Sequence, residues 1–193
     1  PNVAALDLAH GNIEVDAQGL AAFDRQTLQV GDLPVFIAGD VNNDVPLVHE
    51  AADEGHIAGA NAANYPNVKP GKRTIGLGIV FTDPQIASVG VDPDKLEKDS
   101  FVTGELDFTS QGRSRVMLKN KGLMHIYADI KTRRFVGAQM VGPACEHLAH
   151  LLAWSGEQGM TIDQMIDMPF YHPVIEEGLR TALRDTAAKL DRA

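Results

Sequence analysis

Six short apolar segments in the second half of the chain constrain its fold more than any other feature. They are residues 78–81, 86–89, 101–108, 115–119, 123–130 and 135–141. Turn-forming residues separate them, which is typical of antiparallel strands. A short acidic helix is predicted at 93–98, and longer helical patterns follow the last strand. Strands followed by helices predict an α+β fold, in which an antiparallel sheet has helices on one face.

The first part of the chain has a different pattern. A short strand is predicted at 13–15, and the apolar run 35–38 ends at Gly39 and Asp40. Such a run predicts a buried parallel strand whose carboxyl end delivers a side chain to a ligand crevice. A helix is predicted from about residue 47 to 64, and the Pro- and Gly-containing segment 65–72 reads as a linker. We therefore predict two parts, residues 1–66 and 67–193.

Composition excludes several classes of function. The chain has 26 acidic and 17 basic residues, so its net charge is −9. No cluster of cations interleaved with aromatics appears, which argues against a nucleic-acid or membrane-surface partner. No apolar run approaches the roughly 20 residues of a membrane span. With one cysteine the chain builds neither an internal disulfide nor a Cys-rich metal site, so we predict a cytoplasmic protein.

Lone side chains of the helical region do not predict a metal site. Cys145 has apolar neighbours and is typical of a small packed residue. His147 and His150 are spaced to share one face of a helix, but no third and fourth ligands accompany them. We therefore predict no metal centre.

The segment before the C-terminal helix contains a candidate general base. Pro173 suits the first position of a helix, which places His172 at the helix start and Glu177 one and a half turns further on. A carboxylate near an imidazole fixes which ring nitrogen carries the proton, and such a pair can take a proton near neutral pH. The alternative is structural: the acidic residues stabilise a positive helix end and His172 caps or packs.

Asp40 is the second candidate for function. It follows the predicted buried strand, and the next helix starts a few residues later with unpaired backbone N–H groups. Such groups suit the anionic or carbonyl oxygens of a ligand. The alternative is that Asp40 only forms a turn.

Four motifs stand in an order that resembles the flavin-dependent pyridine nucleotide-disulphide oxidoreductases. They are residues 35–40 (VFIAGD), 46–55 (PLVHEAADEG), 81–90 (FTDPQIASVG) and 172–177 (HPVIEE). Together they extend over nearly the whole chain. The sequence looks like the C-terminal part of a dihydrolipoamide dehydrogenase-like member, preceded by the last piece of an α/β FAD-binding domain.

The resemblance implies a FAD site in the first part of the chain. It assigns Asp40 to the ribityl chain of FAD. It also assigns the first turn of the next helix to the flavin ring, which concerns Pro46, Leu47, Val48 and His49.

The resemblance implies that the second part of the chain is the interface of a homodimer. Within it, His172 would be the catalytic base and Glu177 the carboxylate that orients it. The pair would serve the redox disulfide of the other subunit.

Departures from the family limit what the resemblance implies. The family's glycine loop, its redox pair of cysteines and its nicotinamide domain do not occur in these 193 residues. The chain would then be half an enzyme, which needs an N-terminal FAD and NAD or NADP portion and acts on a dithiol or disulfide such as lipoamide. Phe170, Tyr171 and Val174 differ from the usual residues around the base, which puts lipoamide in question. The alternative is a stand-alone dimerisation or interaction module without catalysis.

Overall fold

The chain forms two compact units. The computed structural model describes residues 3–193. Its contacts divide the chain between Arg73 and Thr74, shortly after the predicted boundary at residue 66. We call the part up to Arg73 the first unit and the part from Thr74 the second unit.

The second unit contains a five-stranded antiparallel sheet, which confirms the predicted α+β class. Its strands lie in the spatial order β1-β2-β5-β4-β3. In this register Ala87 lies opposite Met140, and Ile126 lies opposite Ala138. The strands are β1 (Leu77–Val80), β2 (Gln85–Gly90), β3 (Phe101–Asp107), β4 (Leu123–Asp129) and β5 (Phe135–Gly142).

Helices of the second unit pack on one face of this sheet. They are α3 (Cys145–Glu157) and α5 (Glu177–Leu190), and the shorter α4 (Ile162–Ile166) packs against α5. A fully buried hydrophobic core lies between the layers, because apolar residues recur at helical spacing in α3 and α5 and at every second position in the strands. Burying each large apolar side chain there contributes about 1.5–3 kcal/mol. The buried residues include Met124, Ile126, Leu148, Leu152 and Leu183.

Two predictions for the second unit were wrong. Residues 115–119 are not a strand, because the short helix α2 (Gly112–Val116) begins just before them. Its start is fixed by Gln111, whose side chain accepts a hydrogen bond from the backbone N–H of Ser114. The predicted helix at 93–98 is only a 3₁₀ turn, Pro93–Lys95.

The first unit contains one long helix and little strand structure. Helix α1 (Val48–Asn64) agrees closely with its prediction. The predicted parallel strand at 35–38 is wrong, since its only pairing in the described chain is an antiparallel bridge from Gln29 to Phe36. The predicted strand at 13–15 is likewise a single bridge. A parallel strand needs neighbouring strands, and residues 3–73 supply only bridges.

The apolar residues of the first unit still have a small core. Ile13, Ala21 and Val30 are buried, and the partly buried Val35 and Ile37 pack against them. None of the helices within residues 3–193 is both long and apolar enough to cross a membrane.

Candidate functional site

The loop before α5 brings His172 and Glu177 together, although not in the predicted way. Helix α5 begins at Glu177 and not at Pro173. Residues 172–176 form bends and a turn, with a cis peptide bond between His172 and Pro173. The predicted helical position of Pro173 was therefore wrong. The carboxylate of Glu177 instead lies in the first turn of α5, where the helix dipole favours negative charge.

The imidazole and the carboxylate are in direct contact. Nδ1 of His172 lies 2.9 Å from Oε1 and 3.0 Å from Oε2 of Glu177. The backbone N–H of Val174 donates a further hydrogen bond to Oε2, at 3.2 Å. Glu177 is an acceptor, so the neutral imidazole carries its proton on Nδ1 and presents Nε2 as a base. The side chain of His172 is 80% exposed, which leaves Nε2 accessible to a proton donor.

The carboxylate of Glu177 stays ionised in this arrangement. The hydrogen bond from His172 holds the pKa of Glu177 below its ordinary value, and the hydrogen bond from Val174 adds to the effect. The nearby positive charge of Arg180 lowers the same pKa further. The negative charge beside Nδ1 is therefore present throughout the neutral range, where it can stabilise an imidazolium.

Two residues that the sequence did not single out hold this loop. The guanidinium of Arg180 lies over the ring of Phe170, 5.2 Å from its centroid. The side chain of Gln111 donates a hydrogen bond to the carbonyl of Val174, at 2.8 Å. No local pattern signals the second contact, because the two residues are 63 positions apart.

In the first unit, Asp40 lies at the surface of a tight turn. It begins a 3₁₀ helix, Asp40–Asn42, and follows Gly39, whose φ of 78° favours glycine. A side chain on Gly39 would also lie 3.2 Å from the Cβ of Ala51 on α1. Within the described chain the carboxylate of Asp40 has neither a hydrogen bond nor an ion pair. It is therefore available to accept hydrogen bonds from a ligand.

A buried carboxylate holds the turn from beneath. The backbone N–H of Gly39 donates to Oε2 of Glu54 at 2.6 Å, and Nδ2 of Asn42 donates to the same oxygen at 2.7 Å. The side chain of Glu54 is 1% exposed, and Arg73 compensates its charge at 2.9 Å. Arg73 also pairs with Glu50 at 3.0 Å. These polar residues were missed at the sequence level, although Glu50 and Glu54 occupy the spacing of one helix face.

The start of α1 has unsatisfied backbone donors. No side chain caps the helix, so the N–H groups of its first turn lack a side-chain acceptor from the N-cap residue Leu47. Val48 is 88% exposed. Pro46 and His49 are also exposed, and Leu47 is half-buried. An exposed carboxylate and an uncapped helix start within one unit offer a hydrogen-bond acceptor and backbone donors to a polar ligand.

The remaining chemically reactive side chains are packed or dispersed. Cys145 is fully buried, and burial raises the pKa of its thiol to about 11. Nδ1 of His150 lies 2.6 Å from the carbonyl oxygen of Glu146. Across residues 3–193, no three His, Cys, Asp or Glu side chains are grouped so that they could hold a metal ion.

An apolar groove lies beside the His172 loop in the second unit. It encloses about 600 Å³ between α3, α4 and the segment that leads to α5. Trp154 and Tyr171 on its lining are 68% and 79% exposed. Other lining residues are Leu151, Met165, Met168, Phe170, Leu179 and Leu183. Exposed apolar surfaces of this kind usually mark a contact with another protein.

Comparison with known proteins identifies the second unit. Residues 77–183 match the dimerisation domain of the pyridine nucleotide-disulphide oxidoreductases. A dihydrolipoyl dehydrogenase from Haloferax volcanii is 30% identical over 186 residues, which cover 94% of this chain and 38% of that protein. A mercuric reductase from Acidithiobacillus ferrooxidans is 28% identical over 188 residues, which cover 94% of this chain and 33% of the reductase.

Solved structures have the same fold. The structure of LpdA from Mycobacterium tuberculosis superposes with a TM-score of 0.81 at 24% identity, over 95% of this chain and 40% of the other. A copper complex of the flavoprotein disulfide reductase RclA from Escherichia coli gives a TM-score of 0.80 at 20% identity. The match covers 95% of this chain and 42% of the RclA chain. The chain thus spans less than half the length of the relatives it matches.

Proposed function

Because this chain belongs to the pyridine nucleotide-disulphide oxidoreductase family through its dimerisation domain, we propose that it is the C-terminal half of a FAD-dependent NAD(P)-disulfide oxidoreductase. We call the complete enzyme the parent protein. The contact of His172 Nδ1 with both carboxylate oxygens of Glu177 is the observation that carries this proposal. It is the arrangement that a thiol-disulfide enzyme needs for proton transfer.

In this proposal His172 moves a proton between a thiol and its own Nε2. The thiolate is the reactive form in thiol-disulfide exchange, so removing the thiol proton allows its sulfur to attack a disulfide. One sulfur–sulfur bond forms while another breaks, and the imidazolium returns its proton to the thiolate that leaves. Glu177 keeps the proton on Nδ1 and stabilises the positive charge. We propose that the disulfide belongs to the other subunit and that the substrate is a dithiol or disulfide such as lipoamide.

We propose that the first unit supplies part of the FAD site. Asp40 would accept hydrogen bonds from the ribityl hydroxyls, and the uncapped start of α1 around Val48 and His49 would face the flavin ring, next to Pro46 and Leu47. When bound, FAD would carry electrons between a nicotinamide and the disulfide. The support is the free carboxylate of Asp40 and the unsatisfied donors of α1 in one unit.

The His172 assignment is tested by complementation between subunits of the parent protein. One variant carries His172→Ala and another lacks a redox cysteine. Each homodimer should be nearly inactive, since a general base typically contributes about 10²- to 10⁴-fold to the rate. Refolding a 1:1 mixture should recover up to roughly a quarter of wild-type activity, because half of the dimers then contain one complete site of two.

A matched histidine variant controls this experiment. His56 is exposed on α1, and His56→Ala should leave activity unchanged. If His172→Ala retains wild-type activity, the proposed base is wrong. If heterodimers form but restore no activity, His172 does not act across the interface. If the parent protein still dimerises without either residue and has no disulfide oxidoreductase activity to lose, the result would support a dimerisation module without catalysis.

The FAD assignment is tested by the flavin content of the chain and its parent. The 193 residues contain no glycine loop to bind the pyrophosphate, so we expect this chain alone to retain little FAD on purification. In the parent protein Asp40→Ala should lower FAD retention, whereas Asp53→Ala on α1 should not. Stoichiometric, tightly held flavin in the 193-residue chain would contradict the first expectation.

The dimerisation-domain match implies a dimer, and we propose that the apolar groove forms part of the contact with the second copy. Trp154→Glu should shift the chain toward monomer in sedimentation velocity at micromolar concentration, because a charge would be buried without a partner. Leu118→Glu is the matched control, since Leu118 is 88% exposed outside the groove. A Trp154→Glu chain that remains dimeric would place the contact elsewhere.

A further inference from the structure

We propose that Gln111 is a positioning residue for the base, and that its side-chain amide holds the loop that carries His172. The inference rests on the proposed role of His172 and assigns a task to a residue 61 positions earlier in the chain. Gln111 does not contact the imidazole. It acts through the backbone of Val174 and the carboxylate of Glu177.

Both ends of the Gln111 amide are used. Nε2 donates to the carbonyl oxygen of Val174 at 2.8 Å. Oε1 accepts from the backbone N–H of Ser114 at 2.6 Å. These two partners require one donor and one acceptor, which fixes the orientation of the amide. Gln111 is 7% exposed and Ser114 is fully buried, so water competes little for either bond.

The segment that carries Gln111 is held by further hydrogen bonds. The hydroxyl of Ser114 lies within hydrogen-bonding distance of the carbonyls of Phe108, at 3.0 Å, and Gln111, at 2.8 Å. The backbone N–H of Gln111 also donates to the carbonyl of Phe108. Phe108 is fully buried in the core of the second unit. The amide of Gln111 therefore extends from a fixed point toward the His172 loop.

Val174 is held from two sides. Its carbonyl accepts from Gln111, and its N–H donates to Oε2 of Glu177 at 3.2 Å. The two groups belong to the two peptides that flank one Cα, so together they restrict both backbone dihedrals of Val174. Glu177 in turn contacts Nδ1 of His172. A continuous series of hydrogen bonds thus connects the core to the imidazole.

Only glutamine meets these requirements among residues of similar size. A glutamate carboxylate lacks the donor for the Val174 carbonyl, and methionine has no donor and only a weak sulfur acceptor. Because catalytic groups must be held within a fraction of an ångström, loss of this support should reduce proton transfer more than substrate binding.

The test compares Gln111→Glu with a matched substitution. Glutamate at 111 keeps the acceptor for the N–H of Ser114 but places a carboxylate oxygen against the carbonyl of Val174. Gln164 is the control, since its Oε1 likewise accepts a backbone N–H at the start of α4, from Thr161. Gln164→Glu adds the same charge at a helix start in the same unit, and the hydrogen bonds of Gln164 go to Thr161 and not to the His172 loop.

Three NMR measurements on the 193-residue chain report the positioning. In Gln111→Glu, hydrogen exchange at the Val174 N–H should accelerate about three- to tenfold, the equivalent of one ordinary hydrogen bond. The pKa of the Glu177 carboxyl, followed by ¹³C NMR, should rise toward the ordinary value of a glutamate. The ¹⁵N shifts of His172 should show a smaller share of the Nδ1–H tautomer. Gln164→Glu should leave all three unchanged.

Gln111→Met provides the same test if the glutamate variant does not fold, because methionine keeps the length and loses both bonds. In the parent protein, Gln111→Glu should lower kcat at nearly constant KM. The proposal is overturned if the folded variants leave the Val174 exchange and the Glu177 titration as in the Gln164→Glu control. These measurements need no catalysis, so they test the role of Gln111 separately from the proposed function. The proposed function is contradicted if the His172→Ala variant remains active.

Discussion

The two candidate sites of this chain are held by opposite means. The turn with Asp40 rests on a buried ionised side chain, Glu54, whose charge is compensated by Arg73. The loop with His172 rests on the neutral amide of Gln111, and the hydrogen-bonded pair of His172 and Glu177 lies at the surface. In the first unit the buried charge is structural and the free carboxylate is at the surface. In the second unit the exposed imidazole and the carboxylate that accepts its hydrogen bond are themselves the candidate site.

This difference follows from what each unit can bury. The second unit has a continuous core between its sheet and helices, so neutral hydrogen bonds are sufficient to fix a loop on it. The first unit has only a small buried cluster, and much of its order comes from polar contacts around α1. The second unit should therefore be the more stable, and the first should be the more sensitive to loss of a single polar group.

Removing a large core side chain should have the largest effect on stability, and this effect should be confined to the second unit. Phe108→Ala should lower the free energy of unfolding by about 3–5 kcal/mol, because the aromatic ring is fully buried. The single tryptophan, Trp154, lies in the second unit and reports its unfolding by fluorescence in urea. Phe81→Ala is the control, since Phe81 is 73% exposed. An equal loss in both variants would contradict the assigned core.

Replacing the buried carboxylate should have a smaller effect, and in the other unit. Glu54→Gln removes the charge opposite Arg73 and should lower the stability of the first unit by about 2 kcal/mol. Hydrogen exchange at the Gly39 N–H should accelerate, while the fluorescence transition of Trp154 stays in place. Glu14→Gln, an exposed site in the same unit, should change neither. A shift of the Trp154 transition would show that the two units do not respond separately.

The sequence predicted the elements whose signals are local. The alternation in residues 123–130 identified β4 almost to its ends, and the small and apolar residues of α1 placed that helix within one position. His172 and Glu177 were expected to lie within reach of each other, and they do, because they are only five positions apart. The start of α5 was misplaced, because proline at 173 suggested a helix start that the structure puts at Glu177.

Contacts between distant segments could not be predicted in the same way. The apolar run at 35–38 is the same for a strand and for a loop packed on apolar neighbours, and only the available pairing partners decide between them. The alternating residues at 115–119 were read as a strand, although the side chain of Gln111 starts a helix there. Glu54 was missed because a buried carboxylate depends on a cation, Arg73, that the fold brings to it.

Two glycines of the first unit should have small effects of opposite sign. Gly59 lies in the interior of α1, and a Cβ there would meet no atom within 4 Å. Gly59→Ala should therefore stabilise the first unit by about 0.5–1 kcal/mol, since alanine favours the helix. Gly71→Ala should destabilise it, because a Cβ would lie 2.4 Å from the side chain of Ile57. Hydrogen exchange of α1 amides measures both. If both substitutions changed the stability in the same direction, the packing described around α1 would be contradicted.

The smallest effect should come from the exposed pair of His172 and Glu177, and it should depend on pH. The pKa of Glu177 in the folded chain lies below its ordinary value, so the unfolded chain binds a proton at a higher pH than the folded chain does. The stability that the carboxylate contributes is therefore present above the ordinary pKa of a glutamate and is lost as the pH falls through the lowered value. Exposed pairs contribute little, so the difference between wild type and Glu177→Gln should be small at pH 7 and should vanish in strong acid.

The Trp154 fluorescence transition in urea, recorded at several pH values, measures this difference. Glu105→Gln is the control, because Glu105 is exposed and its carboxylate pairs with no residue of the described chain. Its effect should not change over the same range. If the effect of Glu177→Gln instead grew as the pH fell, the carboxylate would be stabilising the unfolded chain. The second unit would then hold its base without any contribution from the charge of Glu177, and the contrast with Glu54 would be sharper still.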